Sequence, residues 1–321
     1  MCSMSVATLD LSVIILTYNE ELHIRRCLER VRPIAKRVVV VDCYSTDQTV
    51  AICKELGAEV VQHEWPGNQA RQFNWALQHL DIQTEWVLRL DADEYLLPEL
   101  VEELQERVPT LPADITGIEF KRRHIFMERW MKHGIYPVII LRMFRTGCAL
   151  YDNRLMDEHL ALQRGRSVVF EHDFCDHNLM NLSYFCKKHV DYATREAVEI
   201  LDECYGLRNG GANPSQNDAS LGKQAQDKHA KKNRYNRMPL FWRSFAYFCY
   251  RYFLKGACLD GKEGFVFTFL QGWWYRTLVD AKVYEVKKAC GSDKEKIKAM
   301  LNKEYGIVIE EVSNTKRGGN S

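Results

Sequence analysis

The chain has 321 residues, of which 46% are hydrophobic and 27% charged, and a formal net charge of +1. Those values describe a folded chain with one sizeable core, or a domain with an appendage, and exclude a disordered protein. So small a net charge gives no footprint for nucleic acid or for an acidic partner. Eleven cysteines run from Cys2 to Cys290, an odd number with no C-x-x-C spacing. Several, such as Cys27, Cys53 and Cys249, fall inside apolar segments, which predicts free thiols rather than disulfides or a zinc site. The opening M-C-S-M-S-V-A-T-L-D has no basic, then apolar, signal pattern, so the expectation is a cytoplasmic protein.

Leu11 to Leu16 predicts a buried strand that empties into Thr17-Tyr18-Asn19-Glu20. Leu22, Ile24, Cys27, Leu28 and Val31 then recur at helical spacing until Pro33. Arg37 to Val41 is a second strand, followed by Asp42 and the loop C-Y-S-T-D, where Ser45 or Thr46 would cap a helix through Leu56. Gly57 ends that helix and Ala58 to Val61 is a third strand. After W-P-G-N a helix carries Ala70, Phe73, Asn74, Ala76 and Leu77. Trp86 to Leu90 is a fourth strand, and it delivers Asp91, Asp93 and Glu94. This alternation predicts an α/β fold with a doubly wound, mostly parallel central sheet.

In such a sheet the three polar loops collect on one edge, where open α/β sheets bind ligands. Amides and hydroxyls near helix N-termini suit phosphates. Asp42 suits a base or ribose donor, and Asp91 and Asp93 offer hard oxygens for Mg²⁺ or Mn²⁺ on a diphosphate. Three crowded acids repel one another unless a cation or a donor-rich ligand offsets them. No G-x-G-x-x-G follows the first strand and no G-x-x-x-x-G-K-[ST] occurs, against a dehydrogenase or a P-loop NTPase.

Ile115 to Phe126 and Val138 to Phe144 read as strands, joined by a segment in which Trp130, His133 and Tyr136 offer stacking surfaces for a ligand or, for Trp130 and Tyr136, fill a core beneath the loop. Glu171 to His177 is dense in possible ligands, including His172 and His177, and Lys187, Lys188 and His189 open a helix through Leu201. Residues 205–237 are poor in apolar side chains and become basic, which reads as a flexible linker. Met238 to Tyr252 and Phe265 to Tyr275 are aromatic and carry basic residues, too short and too charged to span a bilayer but suited to lie on one. A packed helical core or a dimer interface is the alternative. The expected division is a tail over 1–10, a catalytic domain over 11–204, the linker, a helical region over 238–305 and a tail over 306–321.

Together L-S-V-I-I-L-T-Y-N-E, V-V-V-V-D-C-Y-S-T-D-Q-T and L-R-L-D-A-D-E resemble the nucleotide-binding half of a GT-A glycosyltransferase, in particular the inverting family 2 enzymes. The blocks M-D-E-H (156–159), D-H-N-L-M-N-L-S (176–183), K-H-V-D-Y-A-T-R-E-A (188–197) and D-G-K-E-G-F (260–265) resemble a bacterial branch acting in lipopolysaccharide core and exopolysaccharide assembly. The resemblance implies a hexose moved from a nucleoside diphosphate sugar, UDP-linked, to a glycan or lipid-linked acceptor, with Mn²⁺ or Mg²⁺ as cofactor and peripheral contact with the cytoplasmic membrane. It places Thr17, Tyr18, Asn19 and Glu20 against the nucleotide, Asp42 at the base and Asp91 near the ribose. Asp93 would hold the metal, with His172 or His177 completing the shell, and Arg71 and Asn74 would face the donor. An inverting transfer also needs a base for the acceptor hydroxyl, and Asp157 or Glu158 matches that position. Two other readings stay open: a sugar-phosphate nucleotidyltransferase, which would need a glycine-rich basic first loop, and a non-catalytic scaffold on the membrane.

Overall fold

Side-chain alternation along β1 (Leu9–Thr17) sets the layers, because successive residues of a strand point to opposite faces. The computed structural model describes residues 8–151, 160–207, 235 and 238–309. Leu11, Val13 and Ile15 face one core, shared with α1 (Ile24–Val31), α2 (Thr49–Glu55) and α4 (Pro98–Arg107). Ile14 and Leu16 face the other, where Ala70, Phe73 and Ala76 of α3 (Gln69–His79) pack. β2 (Ala35–Asp42) divides the same way, Val38 and Val40 to the first core and Val39 and Val41 to the second. Helices on both faces explain why these strands are apolar without interruption.

The sheet runs β3 (Glu59–Gln62), β2, β1, β4 (Trp86–Asp91), β8 (Val138–Arg145), β6 (Ile115–Phe126), β11 (Arg166–His177), β5 (Glu94–Leu96). The first four are parallel, as expected. β8 lies antiparallel between β4 and β6, and β11 runs parallel to β6. β6 and β11 therefore point the same way as β4, and their C-terminal ends reach the same edge. β7 (Arg129–Trp130) folds back on β6, and β9 (Ala149–Tyr151) pairs with β10 (Leu160–Leu162) on the α3 side.

Two local expectations change. Helix α2 begins at Thr49, with Gln48 at its cap position and no side-chain cap. Ser45 and Thr46 are engaged elsewhere, with Asp42 and Asn19. Residues 94–96 form β5, antiparallel to β11, although three residues carry no readable period.

The chain divides into two compact units, Met1–Met180 with Tyr252–Phe265, and Asn181–Arg251 with Val266–Ser321. In the second, α5 (Leu182–Tyr205) starts at Asn181, whose side chain accepts from the Tyr184 amide, and ends at Gly206 in the left-handed region (φ 59°). Arg276 donates to Glu196 across to this helix at 2.6 Å. Asp280, fully buried, accepts from Arg243 Nε at 2.7 Å and from the Phe241 amide at 2.7 Å. The buried ion pair joins the helix Trp242–Cys249 to the helix Tyr275–Cys290. The linker expected over 205–237 falls almost wholly outside the described residues. No helix among the described residues is long and apolar enough to cross a membrane. The ten described cysteines carry free thiols, as expected.

Candidate active site at the sheet edge

Register brings the loops level. Thr17 pairs with Asp42 and Leu16 with Asp91, so β1, β2 and β4 release their loops within one residue of each other. Asp42 is fully buried and accepts four hydrogen bonds. They come from the Thr17 hydroxyl (3.0 Å), the Ser45 amide (2.9 Å), the Ser45 hydroxyl (2.5 Å) and Gln62 Nε2 (3.3 Å). The carboxylate holds the two loops from within, and Gln62 makes the longest of the four bonds.

The first loop is bound to the second throughout. The Asn19 amide donates to Ser45 Oγ (2.8 Å), Asn19 Oδ1 accepts from the Thr46 amide (2.8 Å), and the Glu20 amide donates to Thr49 Oγ1 (2.7 Å). Tyr18 stays exposed. Of the five non-glycine residues at positive φ among the described residues, Asn19 (φ 55°), Tyr44 (φ 60°), Met127 (φ 49°) and Glu128 (φ 60°) sit at this edge and Phe241 (φ 69°) in the helical unit. Strain concentrated in this way accompanies binding sites.

Two of the three acids of D-A-D-E are paired with arginines. Asp91 Oδ1 accepts from Arg89 at 2.7 Å, and its Oδ2 lies 3.6 Å from Arg142. Arg142 also donates to Glu94 Oε1 at 2.5 Å, and Glu94 Oε2 accepts from the Asp91 amide at 3.0 Å. Glu94 is buried, and burial pushes its carboxyl up to about 7 despite the Arg142 guanidinium. Beside this set Asp93, half-buried, accepts from Asn178 Nδ2 at 3.0 Å.

β11 ends against Asp93: the His177 amide donates to the Asp93 carbonyl at 3.1 Å. Arg26 of α1 reaches over, donating to the His177 carbonyl (2.6 Å) and to Nδ1 (3.0 Å). An arginine cannot accept, so Nδ1 accepts and Nε2 carries the proton toward Glu128 at 3.1 Å. Burial pushes the His177 pKa down. His23, also buried, accepts from the Leu179 amide through Nε2 (2.8 Å) and faces Glu20 through Nδ1 (2.6 Å), linking the first loop to this segment.

The other candidates are placed differently. His172 bonds Glu103 of α4 at 2.9 Å, five residues before His177 and so about 16 Å back along the strand, away from Asp93. Asn74 clamps the backbone of Tyr151 with two 3.0 Å hydrogen bonds. Arg71 is exposed, and its backbone amide meets the Asn68 cap. Trp130 lies under Arg123 at 4.0 Å, Tyr136 donates to Asp173 at 3.0 Å, and His133 bonds Asp260. In the helical unit His189 bonds the Phe185 carbonyl at 2.8 Å. Asp157 and Glu158 lie outside the described residues. Arg26, His23, Arg142, Asn178 and Glu128 were missed by the sequence reading, because each acts across a pairing distant in sequence.

Among the described residues no three His, Cys, Asp or Glu side chains gather as a metal cage. A divalent ion bound chiefly by a diphosphate needs only one or two protein carboxylates. The donor set here fits that case: Asp93 offers a hard oxygen at the loop, while Asp91 is already paired with arginine. His177 would join only if its Nε2 left Glu128.

The sequence profile of glycosyl transferase family 2 matches residues 12–175, just over half of the chain. The chain belongs to glycosyltransferase family 2. The matched stretch runs from β1 into β11 and takes in all three loops, so the sheet is the GT-A sheet of that family, with the helical, aromatic-rich region beyond it. A Rickettsia bellii protein described as an uncharacterized glycosyltransferase is 39% identical over 98 residues, covering 30% of this chain and 32% of that protein. The glycosyltransferase SunS of Bacillus subtilis is 32% identical over 81 residues, covering 25% and 19%. The alignments thus span about a third or less of these relatives' length. Glucosyl-3-phosphoglycerate synthase from Mycobacterium tuberculosis, solved with Mn²⁺, UDP and glucosyl-3-phosphoglycerate, is 23% identical over 36% of this chain and 43% of that chain, with a TM-score of 0.30.

Proposed function

We propose that this family 2 glycosyltransferase moves a hexose from a UDP-sugar to a lipid-linked, lipopolysaccharide or exopolysaccharide acceptor, with inversion and with Mn²⁺ or Mg²⁺. The observation that carries the reading is the common edge at which Thr17–Glu20, Asp42–Asp47 and Asp91–Asp93 meet. The first two loops take the nucleotide, beside the exposed Tyr18 ring. Asp91, its charge offset by Arg89 and Arg142, accepts from the ribose side, and Asp93 holds the metal. Bound there, the ion offsets charge on the leaving diphosphate. Asp157 or Glu158 takes the acceptor proton as its oxygen attacks the anomeric carbon, and Trp130, His133 and Tyr136 line the acceptor side. In this reading the catalytic domain ends near residue 204, and the aromatic segments beyond 238 meet the membrane that carries the acceptor. A glycine-poor, acidic T-Y-N-E supports transfer over nucleotidyl transfer, which needs a basic triphosphate loop.

The test is diphosphate release from UDP-, GDP- and dTDP-sugars with Mn²⁺. Release from one UDP-sugar, raised by an acceptor glycolipid, is the expected result; release from none of them contradicts the proposal. With acceptor present, Glu158→Gln and Asp157→Asn should both bind donor while one loses turnover by about a hundredfold or more. Loss of donor binding in either removes that residue from the base role.

A further inference from the structure

Residues 252–265 return to the unit that holds the sheet, long after the rest of it in sequence. They form a small knuckle, rigidly tied down. The Lys255 carbonyl accepts from the Gly134 amide at 3.0 Å. Asp260, buried, accepts from the His133 amide at 2.8 Å and faces His133 Nδ1 at 2.7 Å. Gly256 and Gly261 turn the chain at positive φ (73° and 74°). Gly264 packs so closely that a Cβ there would stand 2.5 Å from the Ala257 carbonyl oxygen.

This fixed backbone holds large apolar side chains in solvent: Phe253 is 62% exposed, Leu254 80%, Leu259 68% and Phe265 46%. Single exposed apolar residues are ordinary, but a cluster on one short, anchored segment marks a contact surface. The charge around it selects the partner. Lys255 and Lys262 are exposed, whereas Asp260 is buried on His133 and Glu263 pairs with Arg129 at 3.3 Å. An apolar tip with exposed lysines matches an anionic bilayer surface, where the side chains enter the headgroup boundary and lysines meet phosphates. Protein interfaces, by contrast, are depleted in lysine.

We propose that Phe253, Leu254 and Leu259 insert into the headgroup region of an anionic bilayer, with Lys255 and Lys262 on its phosphates. This deepens the lipid-linked acceptor reading and rests on it. Through His133 and Gly134 the knuckle is bolted to the segment assigned to the acceptor.

The full chain is floated with vesicles of phosphatidylglycerol and phosphatidylcholine in equal parts, and with phosphatidylcholine alone. The parent should float with the anionic vesicles. Leu254→Ser/Leu259→Ser should weaken binding at least tenfold, and Lys255→Gln/Lys262→Gln about fivefold per lysine at low salt. Both double variants should keep the parent's donor hydrolysis without vesicles, which separates a lost docking surface from a lost fold. No flotation of the parent, or flotation unchanged in Leu254→Ser/Leu259→Ser, overturns the proposal. Vesicle-free dimerisation of the parent that this variant abolishes also overturns it and assigns the patch to a second copy. Flotation without donor hydrolysis in the parent counts against the transferase reading alone.

Discussion

Asp91, Arg89, Glu94 and Arg142 form a compensated set beneath the loop that carries Asp93. Arg89 was legible in principle, although it was not singled out: it stands two residues before Asp91, so both fall on the α3 face of β4. Arg142 was not, because its place depends on antiparallel pairing of β4 with β8, more than fifty residues on. The sequence therefore read as three acids awaiting an outside cation, when two of them already have arginines. Removing one member leaves a buried charge without its partner. Arg142→Met should cost about 3–5 kcal/mol in urea unfolding, and Glu94→Leu added to it should recover a large part. A loss below about 1 kcal/mol would show that the cluster is not buried as a unit.

At the scale of elements, strand periodicity was enough to place the three loops on one edge. What it could not show was how the loops bind each other. Ser45 and Thr46 have the chemistry of helix caps, yet Asp42 and Asn19 compete for the same groups and win, so α2 starts later. β5 escaped notice because its partner strand is eighty residues away. Asp47 fastens the loops: it accepts from Thr49 Oγ1 (2.5 Å), the Thr49 amide (2.9 Å) and the Glu21 amide (3.1 Å). Burial opposes the charge, but these donors outweigh it and hold the carboxyl below its usual 3.8. A depressed carboxyl stabilises the fold above its unfolded pKa, and that contribution is lost as pH falls through the folded value. Asp47→Asn should thus lower the urea midpoint at pH 7, with the gap to the parent closing below about pH 4. A gap that does not change with pH would remove the charge from the explanation.

For the whole molecule, family membership rests on the stretch from β1 into β11, and that is also where sequence and structure agree most closely. Loops in chain order after parallel strands are legible because one period controls them all. The helical unit is less so. Its buried pair joins Arg243, in a segment that read only as aromatic and basic, to Asp280, nearly forty residues on and beyond either such segment. The acids assigned to the acceptor proton, Asp157 and Glu158, rest on resemblance alone.

The central claim is that the sheet edge holds a nucleoside diphosphate with a divalent ion on Asp93. Calorimetric titration with UDP, with and without Mn²⁺, tests it most directly. Mn²⁺ should tighten UDP binding by about tenfold or more in the parent, and Asp93→Asn should remove that dependence while leaving metal-free binding near its original value. UDP binding indifferent to Mn²⁺, or the same Mn²⁺ dependence in Asp93→Asn, would contradict the account.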